Sequence, residues 1–185
     1  MTRCAWAGPD QIYIDYHDHE WGVPEYDSRA LWEKLILEGY QAGLSWITIL
    51  KKRENFRAAF AGFEPKEIAT WGDDRVELLV QNAGIIRHRG KINATIGNAK
   101  AYLEIEAEQG FSNYIWGFVN HTPIIHGFSQ LGEVPNSDAI AIAMSKDLKK
   151  RGFKFCGPTI VYAFMQAAGL VNDHVTTCPQ HPNNR

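Results

Sequence analysis

The segment Val80-Gln81-Asn82-Ala83-Gly84-Ile85-Ile86-Arg87-His88-Arg89-Gly90-Lys91-Ile92 constrains this chain more than any other stretch. Ahead of it, residues 74–80 read as a helix, with Asp73 or Asp74 as N-cap and Val76, Leu79 and Val80 as its apolar positions. Beyond it, Ile92, Ile96, Ala99 and Leu103 recur at helical spacing. Two helices therefore flank a tight turn. Gly84 is expected to supply an unusual backbone angle there, and Ile85-Ile86 to plug the turn into a core. The second helix is expected to open on Arg87, His88, Arg89 and Lys91. Cations are disfavoured at that end, because the free N–H groups of a helix N-terminus already present positive potential. An anion bound at the turn resolves the conflict, and phosphate is the obvious one. The alternative is a solvated basic corner.

Helix signals dominate the rest. Ser28 is expected to cap a helix reaching about Glu38, and Ser45 or Leu44 to open another through Lys51 to Phe60. Pro65 suits the first turn of a short helix, and Ser112 begins one through Trp116. Ser137 caps a further helix to Leu148, and Pro158 starts a last one through Ala168, stopped by Gly169. No period-2 strand competes, and residues 122–128 read as merely extended. The expected fold is all-α: one domain over 1–185, with a helical core at about 28–170 and irregular terminal segments at 1–27 and 171–185.

Charge and cysteine usage narrow the class. A net charge of −2 argues against a general nucleic-acid coat, yet 12 of the 19 Lys and Arg fall in three clusters, at 51–57, 87–91 and 146–154. Brought together by folding, these would form one positive face suited to gripping a nucleic-acid backbone. No run of 18 apolar residues exists, the polar start Met1-Thr2-Arg3-Cys4 is no signal peptide, and three cysteines make no disulfide framework. A soluble cytoplasmic protein is expected, with no membrane partner.

Two of those cysteines suggest a metal. Cys4 and His17 lie near one end, in a segment with little helix or strand character, and His174 and Cys178 near the other. Together they make the Cys2His2 set that tetrahedral zinc prefers. His174-x3-Cys178 is a compact chelate, whereas the spacing from Cys4 to His17 is not diagnostic. His19 and His181 are rival ligands, and buried free cysteines with surface histidines are the alternative. Four protein ligands leave no open position, so such a zinc would clamp the termini and activate no water.

Aromatic residues crowd the same end. Four of the six Trp and four of the seven Tyr fall within the first 46 residues. Trp32, at helical spacing with Leu35 and Ile36, belongs to a core; Trp6, Tyr13, Tyr16 and Trp21 are interleaved with Cys4 and His17 and are free to line a cavity. Glu38 closes a helix, where a carboxylate meets unfavourable dipole potential, and Gly43-Leu44-Ser45-Trp46 follows at once. Enzymes that act on an extruded nucleobase hold it by stacking and by hydrogen bonds to its edge. Trp46, Tyr16 and Glu38 supply those interactions, and Leu44 is placed to wedge into the vacated stack.

Several motifs together resemble the constitutive bacterial 3-methyladenine DNA glycosylases (type I) within the helix-hairpin-helix glycosylases. They are Cys4-x-Trp6, the run from Tyr16 to Pro24, Gln41-Ala42-Gly43-Leu44-Ser45-Trp46 and the stretch from Ala83 to Ile92. Residues 151–155 and 169–174 extend the likeness over nearly the whole chain. The resemblance implies a mostly α fold whose hairpin, through Gly84, Ile86, Arg87, Arg89, Gly90 and Lys91, binds DNA phosphates. It implies zinc at Cys4, His17, His174 and Cys178, and a base pocket of Glu38, Tyr16 and Trp46 with Trp6, Tyr13, Trp21, Gly43 and Leu44 nearby.

The implied chemistry is selective. Helix-hairpin-helix glycosylases usually carry a catalytic aspartate soon after the hairpin, but no Asp occurs here between Lys91 and Asp138. A site with no strong proton donor and no nucleophilic amine suits a leaving group already activated. Alkylation at N3 makes adenine cationic, so its glycosidic bond breaks without protonation of the base. Glu38 is then expected to accept hydrogen bonds from the adenine edge while water attacks C1′ of double-stranded DNA. The products are free 3-methyladenine and an abasic site, and a monomer suits an enzyme that scans duplex. Losing one such charged contact costs on the order of 3 kcal/mol, about a hundredfold in rate. The competing readings are a non-catalytic zinc module that binds nucleic acid, and a glycosylase for other lesions.

Overall fold

The computed structural model describes residues 2–185. Nine α-helices carry the described chain: α1 (Gln11–His19), α2 (Ser28–Gln41), α3 (Trp46–Ala59), α4 (Pro65–Ile68), α5 (Asp73–Gln81), α6 (Arg89–Gln109), α7 (Phe111–Gly117), α8 (Ala139–Lys150) and α9 (Pro158–Ala167). The centre is α6, whose 21 residues span about 31 Å at 1.5 Å per residue. It is buried on several sides, through Ile92, Thr95, Ile96, Ala99, Tyr102 and Ile105. Helices α2, α4, α5 and α7 pack around it, and α9 lies against α2 and α8. Trp32, Tyr40, Phe56, Phe60, Phe111 and Trp116 fill the space between them, each no more than 2% exposed.

The caps show why these elements start where they do. Asp27 rather than Ser28 caps α2, accepting from the Ala30 amide at 2.8 Å, and Asp138 rather than Ser137 caps α8, accepting from Ala141 at 2.6 Å. Gly72 is the N-cap of α5, which leaves Asp73 and Asp74 in its first turn, where carboxylates favour the helix dipole.

Two expectations for the ends and the strands are corrected. The segment around His17 is helical over α1, and its inward residues Tyr13, Tyr16 and His17 are spaced i, i+3, i+4. The face they form is aromatic and polar and meets a pocket, so it carries no aliphatic stripe for periodicity to detect. Residues 122–128 are not merely extended. Ile124–Ile125 (β1) pairs in parallel with Val171–Asn172 (β2), tying the chain after α7 to the segment after α9.

The α5–α6 hairpin also differs in detail. The helix begins at Arg89, two residues later than Arg87, with His88 as N-cap accepting from the Lys91 amide through Nδ1 at 3.1 Å. Gly84 does not adopt a left-handed angle. It is required for space instead: a Cβ would lie 3.0 Å from Asn82 Oδ1 and 3.3 Å from Asn55. The turn is held by Asn82, whose Oδ1 accepts from the Gly84 amide at 2.8 Å, and by Lys52, whose Nζ donates to the Ala83 and Gly84 carbonyls. Ile85 is buried in the core as expected.

Candidate active site

Three helices that are distant in sequence bring Tyr16, Glu38 and Trp46 together. Tyr16 comes from the buried side of α1, Glu38 from the last turn of α2, and Trp46 is the first residue of α3. Between α2 and α3, Gly43 sits at φ +82°, a conformation open to glycine at little cost, and this sharp turn leaves Leu44 exposed at the tip. Tyr16 and Trp46 meet with ring centroids 5.4 Å apart. Trp6 packs on Tyr13 and on Trp21, each at 5.0 Å.

These rings line a cavity of about 380 Å³, together with Glu38, Gln41, Leu131, Val134, Pro135, Asn136 and the α9 residues Thr159, Tyr162, Ala163 and Gln166. That is the size of a small-molecule site. Glu38 is its one carboxylate among the described lining residues and is 3% exposed. Its Oε2 and the Trp46 Nε1 are buried without hydrogen-bond partners, leaving an acceptor and a donor open. Burial pushes the Glu38 carboxyl up to about 8, opposed by the positive charge of Lys34 one turn earlier. The phenols of Tyr13 and Tyr16 are also raised, first by burial and then by Glu38, so both are neutral walls.

The α9 side of the pocket was not foreseen from sequence. Tyr162 and Gln166 are held by one buried carboxylate, Asp173, which accepts from both at 2.8 Å and whose other oxygen meets His126 Nδ1 at 2.6 Å. A polar stripe at 159, 162 and 166 on an otherwise apolar helix is the one sequence signal by which it could have been found.

Beside the pocket, Cys4 Sγ, His17 Nε2, His174 Nδ1 and Cys178 Sγ converge within 4.8 Å of one another, all in buried residues. The sulfur–nitrogen separations are 3.5, 3.5 and 3.7 Å. A tetrahedron with bonds near 2.3 Å to sulfur and 2.0–2.1 Å to nitrogen has such edges at about 3.6 Å. The opposite ring nitrogens are engaged: His17 Nδ1 meets Asp18 at 2.7 Å and His174 Nε2 meets the Trp21 carbonyl at 3.0 Å. Both therefore act as donors outward and turn lone pairs toward the cluster, as ligating histidines do. Arg3 fixes Asp18 in turn, at 2.8 Å. The donor set fits a metal ion. His19 is exposed, and His181 is occupied by the His126 carbonyl and the Asn183 amide, so neither joins it. Cys156 is buried and packed elsewhere. Trp6, Trp21 and His17 are in mutual contact, so one wall of the pocket is also the jacket of the cluster.

The basic hairpin residues have divided roles. Arg87 is exposed, and no ion pair involves it among the described residues. Arg89 pairs with Glu77 through both terminal nitrogens. Lys91 does not face outward: its ammonium is drawn into the protein and donates to the Tyr40 and Ala42 carbonyls at 2.8 Å each, capping the end of α2. The expectation that Lys91 faces phosphate is thereby corrected, because the C-terminal carbonyls of α2 claim its charge. At the start of α6, the Arg89 and Gly90 amides have no acceptor among the described residues. Of the first basic cluster, Arg53 and Arg57 pair with Glu20 and Glu33, and Lys52 supports the hairpin. The first two clusters are thus largely neutralised, whereas in the third only Arg151 is paired, with Glu108 and Asp147, and Lys146, Lys149, Lys150 and Lys154 are exposed with no ion pair among the described residues. No helix among the described residues is long and apolar enough to cross a membrane.

A family model described as methyladenine glycosylase matches residues 6–181 of this chain. DNA-3-methyladenine glycosylase 1 of Escherichia coli (strain K12) is 58% identical over 186 residues, covering the whole of both chains. A crystal structure of a 3-methyladenine DNA glycosylase I superposes with a TM-score of 0.97 at 56% identity, covering 98% of this chain and all of that one. A second, a Tyr-to-Phe variant of a 3-methyladenine DNA glycosylase I in complex with 3-methyladenine, gives 0.95 at 42% identity over 98% of each chain.

Proposed function

The chain belongs to the methyladenine glycosylase family and is a DNA-3-methyladenine glycosylase, and from that premise we propose that the ionised carboxylate of Glu38 recognises the alkylated base. One observation carries this: a carboxylate 3% exposed, with an unpartnered oxygen, inside an aromatic recess. Burial holds that acid largely neutral at neutral pH. A base that is cationic while still attached to DNA lets the proton go to bulk water and leaves a close charge-assisted contact. Neutral adenine offers no such compensation, so the pocket rejects it. Tyr16 and Trp46 stack the base, and Trp6, Tyr13 and Trp21 shape the recess around it.

Cleavage then needs little from the protein. The departing 3-methyladenine takes the bonding electron pair and leaves uncharged, the sugar gains oxocarbenium character, and water adds at C1′. No second acid lines the cavity among the described residues, and neither does a lysine, which suits hydrolysis without a covalent amine intermediate. Double-stranded DNA is the partner. Arg87 and the open amides of Arg89 and Gly90 meet its phosphates, Gly84 and Ile86 shape that hairpin, and Leu44, carried by Gly43, fills the gap left by the extruded base. Zinc is the metal we assign to Cys4, His17, His174 and Cys178; its four positions would be filled by protein, so it would clamp the termini of a single domain and supply no catalytic water. The enzyme acts as a monomer in the cytoplasm.

The test is incubation with alkylated duplex and chromatography of the freed bases. Free 3-methyladenine should appear, and borohydride should trap no protein–DNA adduct. Absence of the free base, or a trapped adduct, overturns the reading.

A further inference from the structure

Behind the wall formed by Tyr16 and Trp46 lies a second cleft, of about 200 Å³, to which both residues also contribute. Its lining is charged, unlike that of the base pocket. Arg53 is paired with Glu20 at 2.6 and 2.9 Å, and Arg57 with Glu33 at 2.7 Å. Lys34 stands among them, one helical turn before Glu38 on α2.

At this i, i+4 spacing a lysine and a glutamate ordinarily meet. Here they do not. The Lys34 ammonium instead donates to the Ala167 carbonyl at the end of α9, at 3.2 Å. The Glu38 Oε2 is buried with no hydrogen-bond partner; burial raises the carboxyl, and the charge of Lys34 opposes that rise. A direct ion pair would have occupied the oxygens needed by the base.

We infer that Lys34 is a positioning residue that favours the charged form of Glu38 from a distance and leaves the carboxylate oxygens open for the alkylated base. This rests on the role proposed for Glu38. The surroundings support it from every packed element. Facing Glu38 are the neutral phenols of Tyr13 and Tyr16 from α1, Tyr162 from α9 and the indole of Trp46 from α3, none of them a cation. Facing Lys34 are Glu20, Glu25, Glu33 and Arg53, with Arg29 and Arg57 completing the cleft. Burial lowers the lysine, while the three carboxylates oppose that loss and favour its protonated form. The Ala167 carbonyl fixes its place.

The experiment is the pH profile of kcat/KM for release of 3-methyladenine from alkylated duplex, between pH 5.5 and 9.5, for wild type, Lys34→Met, Lys34→Arg and Glu38→Gln. Removing the cation should move the acid limb up by about one pH unit, so Lys34→Met loses about tenfold at pH 7 and less than about twofold at pH 9.5. Lys34→Arg should keep the wild-type limb, and Lys34→Gln carries the same test should the methionine variant not fold. An equal loss at every pH, or a limb that does not move, overturns the role of Lys34. Retained, pH-independent excision by Glu38→Gln overturns instead the reading on which it rests.

Discussion

Replacing Glu38 by glutamine is expected to stabilise the folded protein, and to do so only toward alkaline pH. The folded-state carboxyl lies at about 8 against an ordinary 4.5, because burial disfavours its charge. A folded value above the unfolded one means that the neutral acid is at no disadvantage below about pH 4.5. Stability is then lost as pH rises through the interval to about 8. At 1.36 kcal/mol per pH unit, the full interval is worth on the order of 5 kcal/mol, and roughly 3 kcal/mol of it is already lost at pH 7. Glutamine carries no charge to desolvate, so the variant should gain relative to wild type across that window. Its amide still lacks a partner in the pocket, which reduces the gain by about 1–3 kcal/mol at every pH. Urea unfolding of both proteins at pH 5 and pH 8.5 measures this, since all other groups cancel in the difference. The variant should move from equal or less stable to more stable by about 2 kcal/mol or more. A difference that is the same at both pH values would show that Glu38 is not a buried ionising group and would refute the argument.

Three further outcomes follow from the geometry. Leu44→Ala removes an exposed side chain at a glycine-led tip and should lower excision from duplex about tenfold while leaving the affinity for free 3-methyladenine unchanged, as read by tryptophan fluorescence. Lys91→Met strips the Tyr40 and Ala42 carbonyls of their donor and should cost about 1–3 kcal/mol in denaturant unfolding. Elemental analysis should find close to one zinc per chain, and stripping it with a strong chelator should lower the melting midpoint by roughly 10 °C or more, because the cluster links residues near both termini.

Residues that act through a local rule were visible in the sequence. The hairpin, its flanking helices, the stop at Gly169 and the plug at Ile85 all follow from spacing and turn chemistry. So does the pairing of cysteine with histidine at both ends, because a metal site constrains ligand type more tightly than fold. Helix α1 was hidden by its function: a helix whose inward face is Tyr13, Tyr16 and His17 shows no aliphatic period. The role of Lys91 was hidden for another reason. Its position beside three basic residues suggested an outward charge, whereas its partners lie about fifty residues earlier at the end of α2. The same holds for Tyr162, Gln166 and Asp173, whose shared network depends on how α9 meets the segment after it.

The most direct test is the amount of 3-methyladenine freed from alkylated duplex by wild type and by Glu38→Gln at pH 8, with DNA binding measured alongside. Loss of about a hundredfold in excision, with duplex affinity retained, is the outcome expected if the buried carboxylate grips the charged base. Equal yields from the two proteins would contradict it.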